Sequence, residues 1–270
     1  MINIKTKIRQ TAFNCHYSIE KLNSKKELEM FLSRFREKYI SCELVRIGGE
    51  GDGGYLHPRI LNEISYCYSP GVNDIAYFEK ELSNKYKIKS YMADASVEKP
   101  PVFDENFKFI PKFLGAHTRN EFITLSDWMS QTTGKSKRNK ILQMDIEGYE
   151  YDVLIYEDAE TLASFSTMTI EFHFLQKLFE TNFLKMFSAI FEKIYKNFSI
   201  CHVHPNNCCG VALLDGIEIP RVIEVTFLRN DLVEKLSNGK AIKLPNILDR
   251  KNIEKNDEII MPKIWWSKDY

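Results

Sequence analysis

Carboxylates and histidines follow short apolar runs at several points of the chain, and side chains of these types can move protons or hold a cation. Asp145 ends the apolar run at 141–144, Glu171 and His173 stand at the end of a later run, and His204 ends a third. In an open α/β sheet, ligands bind outside the carboxyl ends of the strands. If each run is a strand of such a sheet, we expect these four side chains to meet in one cleft.

Two chemistries suit this group, and the residues alone leave both open. Asp145 and Glu171 offer the carboxylate oxygens that hard divalent ions prefer, and His173 can supply a third ligand. Without a metal, the imidazole of His173 or of His204 can act as a general base. Asp145 also has a plainer interpretation, in which it binds the amine of a cofactor or caps the following helix.

Neighbouring polar residues have structural interpretations that compete with catalytic ones. Glu147 and Glu150 follow a strand end, and we expect them to complement the N-terminus of the next helix. Of the two histidines in the H-x-H stretch, we expect one to point into the sheet and the other outward. His204 is our choice for the open site, and His202 is interpreted as a buried structural histidine.

Length, charge and cysteine usage limit the class of protein. The chain has 270 residues with 37 Lys+Arg and 37 Asp+Glu, which predicts one large domain and argues against a nucleic-acid partner. No apolar run approaches the ~20 residues that a membrane span requires. Six cysteines without C-x-x-C spacing, and no signal-peptide pattern, predict a reducing, cytoplasmic setting. A basic cluster at 135–140 is interpreted as a solvated loop.

Alternating strand and helix patterns predict the fold class. The expected strands are 42–47, 64–69, 88–93, 108–114, 140–144, 168–172, 200–204 and 222–229. Most of them are separated by helical patterns, so we expect an α/β fold with a doubly wound, mostly parallel, Rossmann-like seven-stranded sheet. The last two strands predict an antiparallel C-terminal hairpin.

The helices and domain limits follow from capping residues and apolar spacing. Ser24 begins a capping box that opens a helix with one apolar face. Asp74 is the expected cap of a second helix, Thr124 or Ser126 is the expected cap of a third, and residues 175–196 are expected to form one long helix. We divide the chain into an N-terminal arm and helix at 1–41, a main domain at 42–237 and a C-terminal wrap of that domain at 238–270.

Three turns suggest where a cofactor binds. Ser69-Pro-Gly71-Val-Asn73-Asp74 contains one glycine, unlike the dinucleotide-binding G-x-G-x-x-G or a P-loop, and this suits a nucleoside cofactor with few phosphates. Asp94 ends the next expected strand, where an acid can accept hydrogen bonds from ribose hydroxyls. The glycines of Asp52-Gly-Gly-Tyr55 either approach a ligand or form an ordinary tight turn. S-adenosylmethionine is therefore favoured over a dinucleotide, although the spacing alone leaves the choice even.

Six segments resemble, in the right order, motifs of the FkbM-type S-adenosylmethionine-dependent methyltransferases. They are the Ser69–Glu79 turn and helix start, Asp94-Ala95-Ser96, Thr124-Leu-Ser-Asp127, Asp145-Ile-Glu-Gly148, Glu171-Phe-His173, and His202-Val-His204-Pro-Asn206-Asn207. Asp52-Gly-Gly-Tyr55 is similar to a segment of one branch of the family. The resemblance spans about 44–229, and it departs from the family at Pro205 and in having only Gly71 in the glycine turn.

The resemblance implies a class I methyltransferase-like fold and assigns roles to residues. Cofactor contacts are expected from Asp52, Gly53, Ser69, Gly71, Asn73, Asp74, Asp94, Ala95, Ser96 and Asp145. From their positions at strand ends, and not from the resemblance, catalytic roles are expected for His173, Asp145 and His204, and a divalent metal is assigned to Asp145, Glu171 and His173.

The resemblance also implies the reaction. We expect a cytoplasmic S-adenosylmethionine-dependent O-methyltransferase that acts on a hydroxyl of a sugar or sugar nucleotide for surface polysaccharide (capsule or lipopolysaccharide) biosynthesis. A small natural product as acceptor and a non-catalytic methyltransferase-like subunit are the alternatives. An oxidoreductase on the same fold would require the pyrophosphate-binding glycine triplet that this chain lacks. A homo-oligomer is left open.

Overall fold

A seven-stranded mixed sheet forms the centre of the protein, whose computed structural model describes residues 4–134, 136 and 139–270. In chain order the strands are β1 (Leu44–Ile47), β2 (Tyr55–Pro58), β3 (Tyr66–Pro70), β4 (Lys89–Ala93), β5 (Phe107–Ile110), β6 (Phe113–Leu114), β7 (Phe122–Ile123), β8 (Lys140–Met144), β9 (Thr167–Phe172), β10 (Phe198–Pro205), β11 (Val211–Leu214), β12 (Ile217–Pro220) and β13 (Ile223–Arg229). The central sheet has the order β10-β13-β9-β8-β3-β4-β5, and β13 runs antiparallel to both of its neighbours. The predicted doubly wound, mostly parallel sheet with an antiparallel C-terminal pair is confirmed.

The helices pack on both faces of this sheet. They are α1 (Ile4–Asn14), α2 (Lys25–Glu37), α3 (Tyr77–Tyr86), α4 (Leu125–Thr132), α5 (Glu150–Tyr156), α6 (Ala159–Ala163), α7 (Thr181–Tyr195) and α8 (Val233–Leu236). The capping box at Ser24 and the cap at Thr124 are confirmed, because each side chain accepts a hydrogen bond from the backbone three residues later. Helices α2, α4, α5 and α7 contribute to the largest apolar cluster, whereas α3 packs with β1 and β2 in a second one.

The two faces of the sheet differ in polarity near the carboxyl ends of the strands. Along β9, Met168, Ile170 and Phe172 belong to the largest apolar cluster. The alternate residues Thr169 and Glu171 point to the opposite face, since successive side chains of a strand alternate. Both faces are buried, so the polar side chains of the second face need partners from the segments that cover it.

Four predicted elements differ from the structure. Asp74 does not cap α3, which begins at Tyr77 after the non-capping residue Ala76, because the chain first makes a turn in which Ile75 N–H donates to Val72 O. The expected strand at 108–114 is divided between β5 and β6, which belong to different sheets.

The expected long helix at 175–196 is interrupted. Phe174 adopts a left-handed conformation and Glu180 an extended one, so a 3₁₀ helix at Leu175–Phe179 precedes α7. The fourth difference is the strand expected at 42–47, which is β1 and pairs with β2 in a separate two-stranded sheet.

The two terminal segments behave differently. Helix α1 buries none of its residues, whereas Trp265 of the C-terminal segment is fully buried against Phe31 and Phe35 of α2. Within the described residues, none of the helices combines the length and the apolar character that a membrane crossing requires. Lys135, Lys137 and Arg138 of the predicted basic loop lie outside the described residues.

Candidate active site

A cavity of about 650 Å³ lies at the carboxyl ends of β3, β4 and β8. Eight of the residues predicted to contact a cofactor line it: Asp52, Gly53, Gly71, Asn73, Asp74, Asp94, Ser96 and Asp145. Ser69 is fully buried behind the wall, and Ala95 is half-buried and is not a wall residue. The volume falls within the range of about 300–1,000 Å³ that is usual for small-molecule sites.

Gly71 allows the β3 and β8 loops to approach each other at the base of the cavity. Its φ is +85°, and a Cβ atom placed there would lie 1.6 Å from the carbonyl oxygen of Asp145. No side chain can be accommodated at that distance, so glycine is required by the backbone contact itself. The single glycine of this turn therefore has a structural reason that does not depend on a ligand.

Asp94 organises the loop that follows β4. Its Oδ2 accepts from the backbone N–H of Asn73 at 2.8 Å, and its Oδ1 accepts from the N–H and hydroxyl of Ser96 at 2.8 and 2.6 Å. A carboxylate has about four lone-pair sites, so one site is left after these three bonds. The side chain is thus held at the cavity wall with remaining capacity to accept from a ligand hydroxyl.

A polar floor that the sequence reasoning missed lies beneath this loop. The hydroxyl of Ser69 donates to Glu79 and contacts Gln143 Oε1 at 2.5 Å, and Gln143 Nε2 donates to the hydroxyl of Tyr55 at 3.2 Å. Burial raises the pKa of Glu79, and the hydrogen bond from Ser69 only partly opposes that rise. Gln143 is a polar residue among the apolar residues Ile141, Leu142 and Met144 of β8. This interruption is the sequence signal that could have identified the floor.

Part of the cavity lining is apolar and aromatic. Phe113, Leu114, Phe122 and Tyr149 form it, and the rings of Phe122 and Tyr149 lie 6.1 Å apart. These residues come from β6, β7 and the loop before α5, three elements that are separated in sequence. Apolar lining in the same cavity as Asp94 suits a planar base, while the acid suits its sugar.

His173 is the centre of an imidazole–carboxylate group beside the cavity. Its Nδ1 lies 3.2 Å from Glu150 Oε1, and its Nε2 lies 3.5 Å from Glu147, 3.8 Å from Asp145 and 3.8 Å from Glu171. The histidine is 8% exposed. Asp145, Glu171 and His173 are therefore brought together as the sequence predicts, and Glu147 joins them.

Glu150 fixes the orientation of His173, a role the sequence reasoning did not assign. This fully buried glutamate accepts at Oε1 from the backbone N–H groups of Ile146 at 3.0 Å and Gly148 at 3.2 Å. The same oxygen faces His173 Nδ1. An imidazole that donates from Nδ1 keeps its Nε2 free to accept a proton, so Glu150 selects the tautomer that a general base needs.

The pKa values of Asp145, His173 and Glu171 all lie above their ordinary values. Burial raises the pKa of Asp145 to about 7, with Glu147 and Glu150 adding to the rise and His173 opposing it. Burial lowers the pKa of His173, but Glu150, Asp145 and Glu147 together outweigh it, and the net pKa lies above the ordinary value. Burial also raises the pKa of Glu171 well above its usual range.

Hydrogen bonds from two asparagines link this group to the segments that cover the second face of the sheet. Asn206 Nδ2 donates to Glu171 Oε1 at 2.8 Å, and Asn252 Nδ2 donates to Glu224 at 2.7 Å and to Asp52 at 3.2 Å. Asp52 of the glycine-rich loop is thereby tied to the C-terminal segment.

His204 lies apart from His173, across β13. His204 is in register with Glu224, and Glu224 is in register with Glu171. The prediction that His202 and His204 face opposite sides of the sheet is wrong, because residues two apart on a strand share a face. Their rings stack at 14°, and both lie close to Asp249.

A family model described as the methyltransferase FkbM domain matches residues 55–197, more than half of the chain. The chain belongs to the FkbM methyltransferase family. No curated protein matches it. Among solved structures, a chain described as belonging to a fibrillarin/Nop5p complex is similar at a TM-score of 0.36, with 10% sequence identity over 62% of this chain and 73% of that chain.

Membership of the FkbM family confirms the predicted family and makes the protein an S-adenosylmethionine-dependent methyltransferase with a small-molecule acceptor. The cavity fits that cofactor in three respects: its volume, the unfilled acceptor site on Asp94, and its apolar and aromatic lining. Asp52 and the pair His202 and His204 lie outside the matched segment.

Proposed function

We propose that this FkbM protein methylates a hydroxyl group of a sugar or a nucleotide-activated sugar, as a step in the assembly of a surface polysaccharide. The observation that carries the proposal is the oriented base at His173, because a hydroxyl acceptor has a proton to lose and a high pKa. All six cysteines are free in the structure, which supports our placing the reaction in the cytoplasm.

In the proposed reaction, bound S-adenosylmethionine supplies an electrophilic methyl group, and the chain's own residues align the acceptor and receive its proton. His173 Nε2 accepts the hydroxyl proton while Glu150 stabilises the resulting imidazolium through Nδ1. Asp145, one-quarter exposed at its side chain, stands between this base and the cavity. Its carboxyl group can accept a hydrogen bond from the acceptor and hold it in line for transfer.

The surroundings of the base support a polyhydroxylated acceptor. Carboxylates at Asp52, Asp145 and Glu147 can each accept from a sugar hydroxyl, and Tyr149 offers an aromatic face that is 52% exposed. The C–H faces of a sugar ring pack well against such a face. A small natural product with fewer hydroxyls would make fewer of these hydrogen bonds, which is why we favour a sugar.

A divalent cation is a second way to activate the hydroxyl. Asp145, Glu147 and His173 offer ligand atoms that all lie within 4.8 Å of one another, and two carboxylates with one imidazole form a plausible cation site. The third ligand would be Glu147, whose side chain is 87% exposed, in place of the predicted Glu171. We prefer the metal-free base, since Glu150 already orients His173.

A methyl-transfer screen tests the proposal. Purified full-length protein is incubated with S-adenosylmethionine and separate nucleotide sugars, free sugars or small phenolic and polyketide alcohols, and products are identified by mass spectrometry. We expect a nucleotide sugar or sugar to gain one methyl group, and the His173→Ala variant to lose at least about 100-fold in rate. Repeating the assay with chelator separates the two chemistries, because only the cation mechanism loses turnover. Methylation of the natural-product alcohols alone would overturn the sugar assignment.

A further inference from the structure

A second group of titratable side chains lies away from the cavity, between β10 and the C-terminal segment. It consists of His202 and His204 of β10 and Asp249, a residue of the covering segment. His202 is 2% exposed and His204 is 8% exposed, and the side chain of Asp249 is 4% exposed. Two imidazoles and one carboxylate are thus enclosed together across a tertiary contact.

Polar atoms of this group face one another without hydrogen-bond partners among the residues that the structure describes. They are Nε2 of His202, both ring nitrogens of His204 and Oδ1 of Asp249. His202 Nε2 and Asp249 Oδ1 lie 2.9 Å apart, which is an ion-pair distance when the imidazole is protonated and a ligand-to-ligand distance when it is neutral. Buried polar atoms normally have partners, so the group needs a species that can accept several lone pairs at once.

The spacing of these atoms fits a transition metal ion. Zinc bonds to nitrogen and oxygen at about 2.0–2.1 Å, and tetrahedral geometry then separates neighbouring ligand atoms by about 3.3 Å. Asp249 Oδ1 lies 2.9 Å from His202 Nε2 and 3.7 Å from His204 Nδ1, on either side of that value. Two imidazoles favour zinc and related ions over magnesium or calcium.

We propose that His202, His204 and Asp249 bind a divalent transition metal ion of the zinc class, which fastens the C-terminal segment to β10. The other carboxylate oxygen of Asp249 accepts from the backbone N–H of Asn246 at 2.7 Å, an outer contact of the kind that orients metal ligands. A water molecule would complete the coordination.

The charges around the group are mixed. Glu224, in register with His204 on β13, adds a negative charge, whereas the guanidinium of Arg46 opposes a cation. Arg46 itself donates to the carbonyl oxygens of Gly49 and Gly51, so it is committed to the glycine-rich loop. Glu224 and Asp249 together supply two carboxylates against this one cation.

The site has a consequence for the cavity. Asn252, three residues after Asp249, donates to both Glu224 and Asp52. An ion that holds Asp249 therefore holds the segment that positions Asp52 at the cavity wall. The role is positioning rather than catalytic, because His202 and His204 are not wall residues of that cavity.

Metal-depleted, untagged full-length protein tests the proposal. We expect one equivalent of Zn²⁺ to bind by calorimetry and to raise the unfolding midpoint by about 5 °C or more at 100-fold excess over Kd. Co²⁺ should give the intense visible absorption bands of a tetrahedral nitrogen–oxygen site. The His204→Gln and Asp249→Asn variants should lose these signals, while His173→Gln, which alters the other candidate cluster, and His16→Gln, at an exposed histidine, should keep them.

Two results would overturn the proposal. Wild-type protein that takes up no Zn²⁺ and shows no thermal shift rules the site out, whatever the variants do. Loss of binding in His173→Gln with retention in His204→Gln places the ion beside the cavity instead. Circular dichroism before metal addition identifies any variant that fails to fold, and the wild-type titration decides the question in that event.

Discussion

Replacing Glu150 by glutamine tests whether the orientation of His173 is what makes it a base. Glutamine keeps the shape of the side chain and can still accept from the N–H groups of Ile146 and Gly148, but it removes the negative charge beside Nδ1. Its amide can also donate to Nδ1, which would leave the proton on Nε2. The variant therefore loses both the stabilising charge and the useful tautomer.

The size of the effect follows from the buried contact. A hydrogen bond to a charged group contributes about 1.5–3 kcal/mol, which corresponds to about 1–2 pKa units. Burial lowers the pKa of His173, but Glu150, Asp145 and Glu147 together outweigh it, and Glu150 is the largest of the three, so the net pKa is raised. His173 is protonated below its pKa and cannot accept a proton, so the rate should rise with pH through that raised pKa. In Glu150→Gln the rise should move to lower pH by about one unit or more, and the plateau should fall by about 10²–10⁴.

The assay is kcat/KM for methyl transfer across the pH range in which imidazole titrates. Glu147→Gln is the matched control, since it removes the same charge from a side chain that is 87% exposed and 3.5 Å from Nε2. A metal-free base predicts a change of less than about threefold there, because exposed charges contribute little.

A Glu150→Gln protein with an unaltered plateau and pH profile would refute the assignment of His173 as an oriented base. A large loss in Glu147→Gln that added metal restores would instead favour the cation mechanism at Asp145, Glu147 and His173.

Two further predictions concern the cofactor loops. Asp94→Ala should raise the Kd for S-adenosylmethionine at least about tenfold in calorimetry, and an unchanged Kd would remove Asp94 from the cofactor site. Gly71→Ala should lower the free energy of unfolding by more than about 3 kcal/mol in chemical denaturation, because its methyl group meets the Asp145 carbonyl. Gly210→Ala, which also has a positive φ but no atom within 4 Å, should cost only about 1–2 kcal/mol. Equal losses in the two variants would contradict the close-contact argument.

The sheet could be predicted from the sequence because its signals are local. Lys140–Met144 has the predicted bounds, and the strand ends carry Asp94, Asp145 and Glu171 to one edge as expected. Strand patterns repeat every two residues and helix patterns every 3.6 residues, because these periods determine which side chains face the core. Both faces of this sheet are buried. Element limits were less predictable where the backbone turns, as before α3 and at Glu180, since a few φ and ψ values decide them.

The contacts of the covering segments could not be predicted. Asp249 and Asn252 lie in a segment with no regular period, and their partners His202, Glu224 and Asp52 are 28 to 200 residues away. Such pairings are decided by packing over the whole chain. The H-x-H error is of another kind, because strand geometry alone places both histidines on one face.

The polar face of the sheet explains why these distant contacts and the candidate site belong together. A parallel sheet covered on both faces usually carries apolar side chains on both, yet here Thr169, Glu171, Glu224 and His204 occupy the second face. Each of these polar groups is costly to bury unless a covering segment supplies a partner. Asn206 and Asn252 meet part of that need, and the Glu171 oxygen that accepts from Asn206 lies 3.8 Å from His173 Nε2. In the proposed mechanism, the polarity retained on this face serves binding and proton transfer at its edge, and the C-terminal segment makes its burial tolerable.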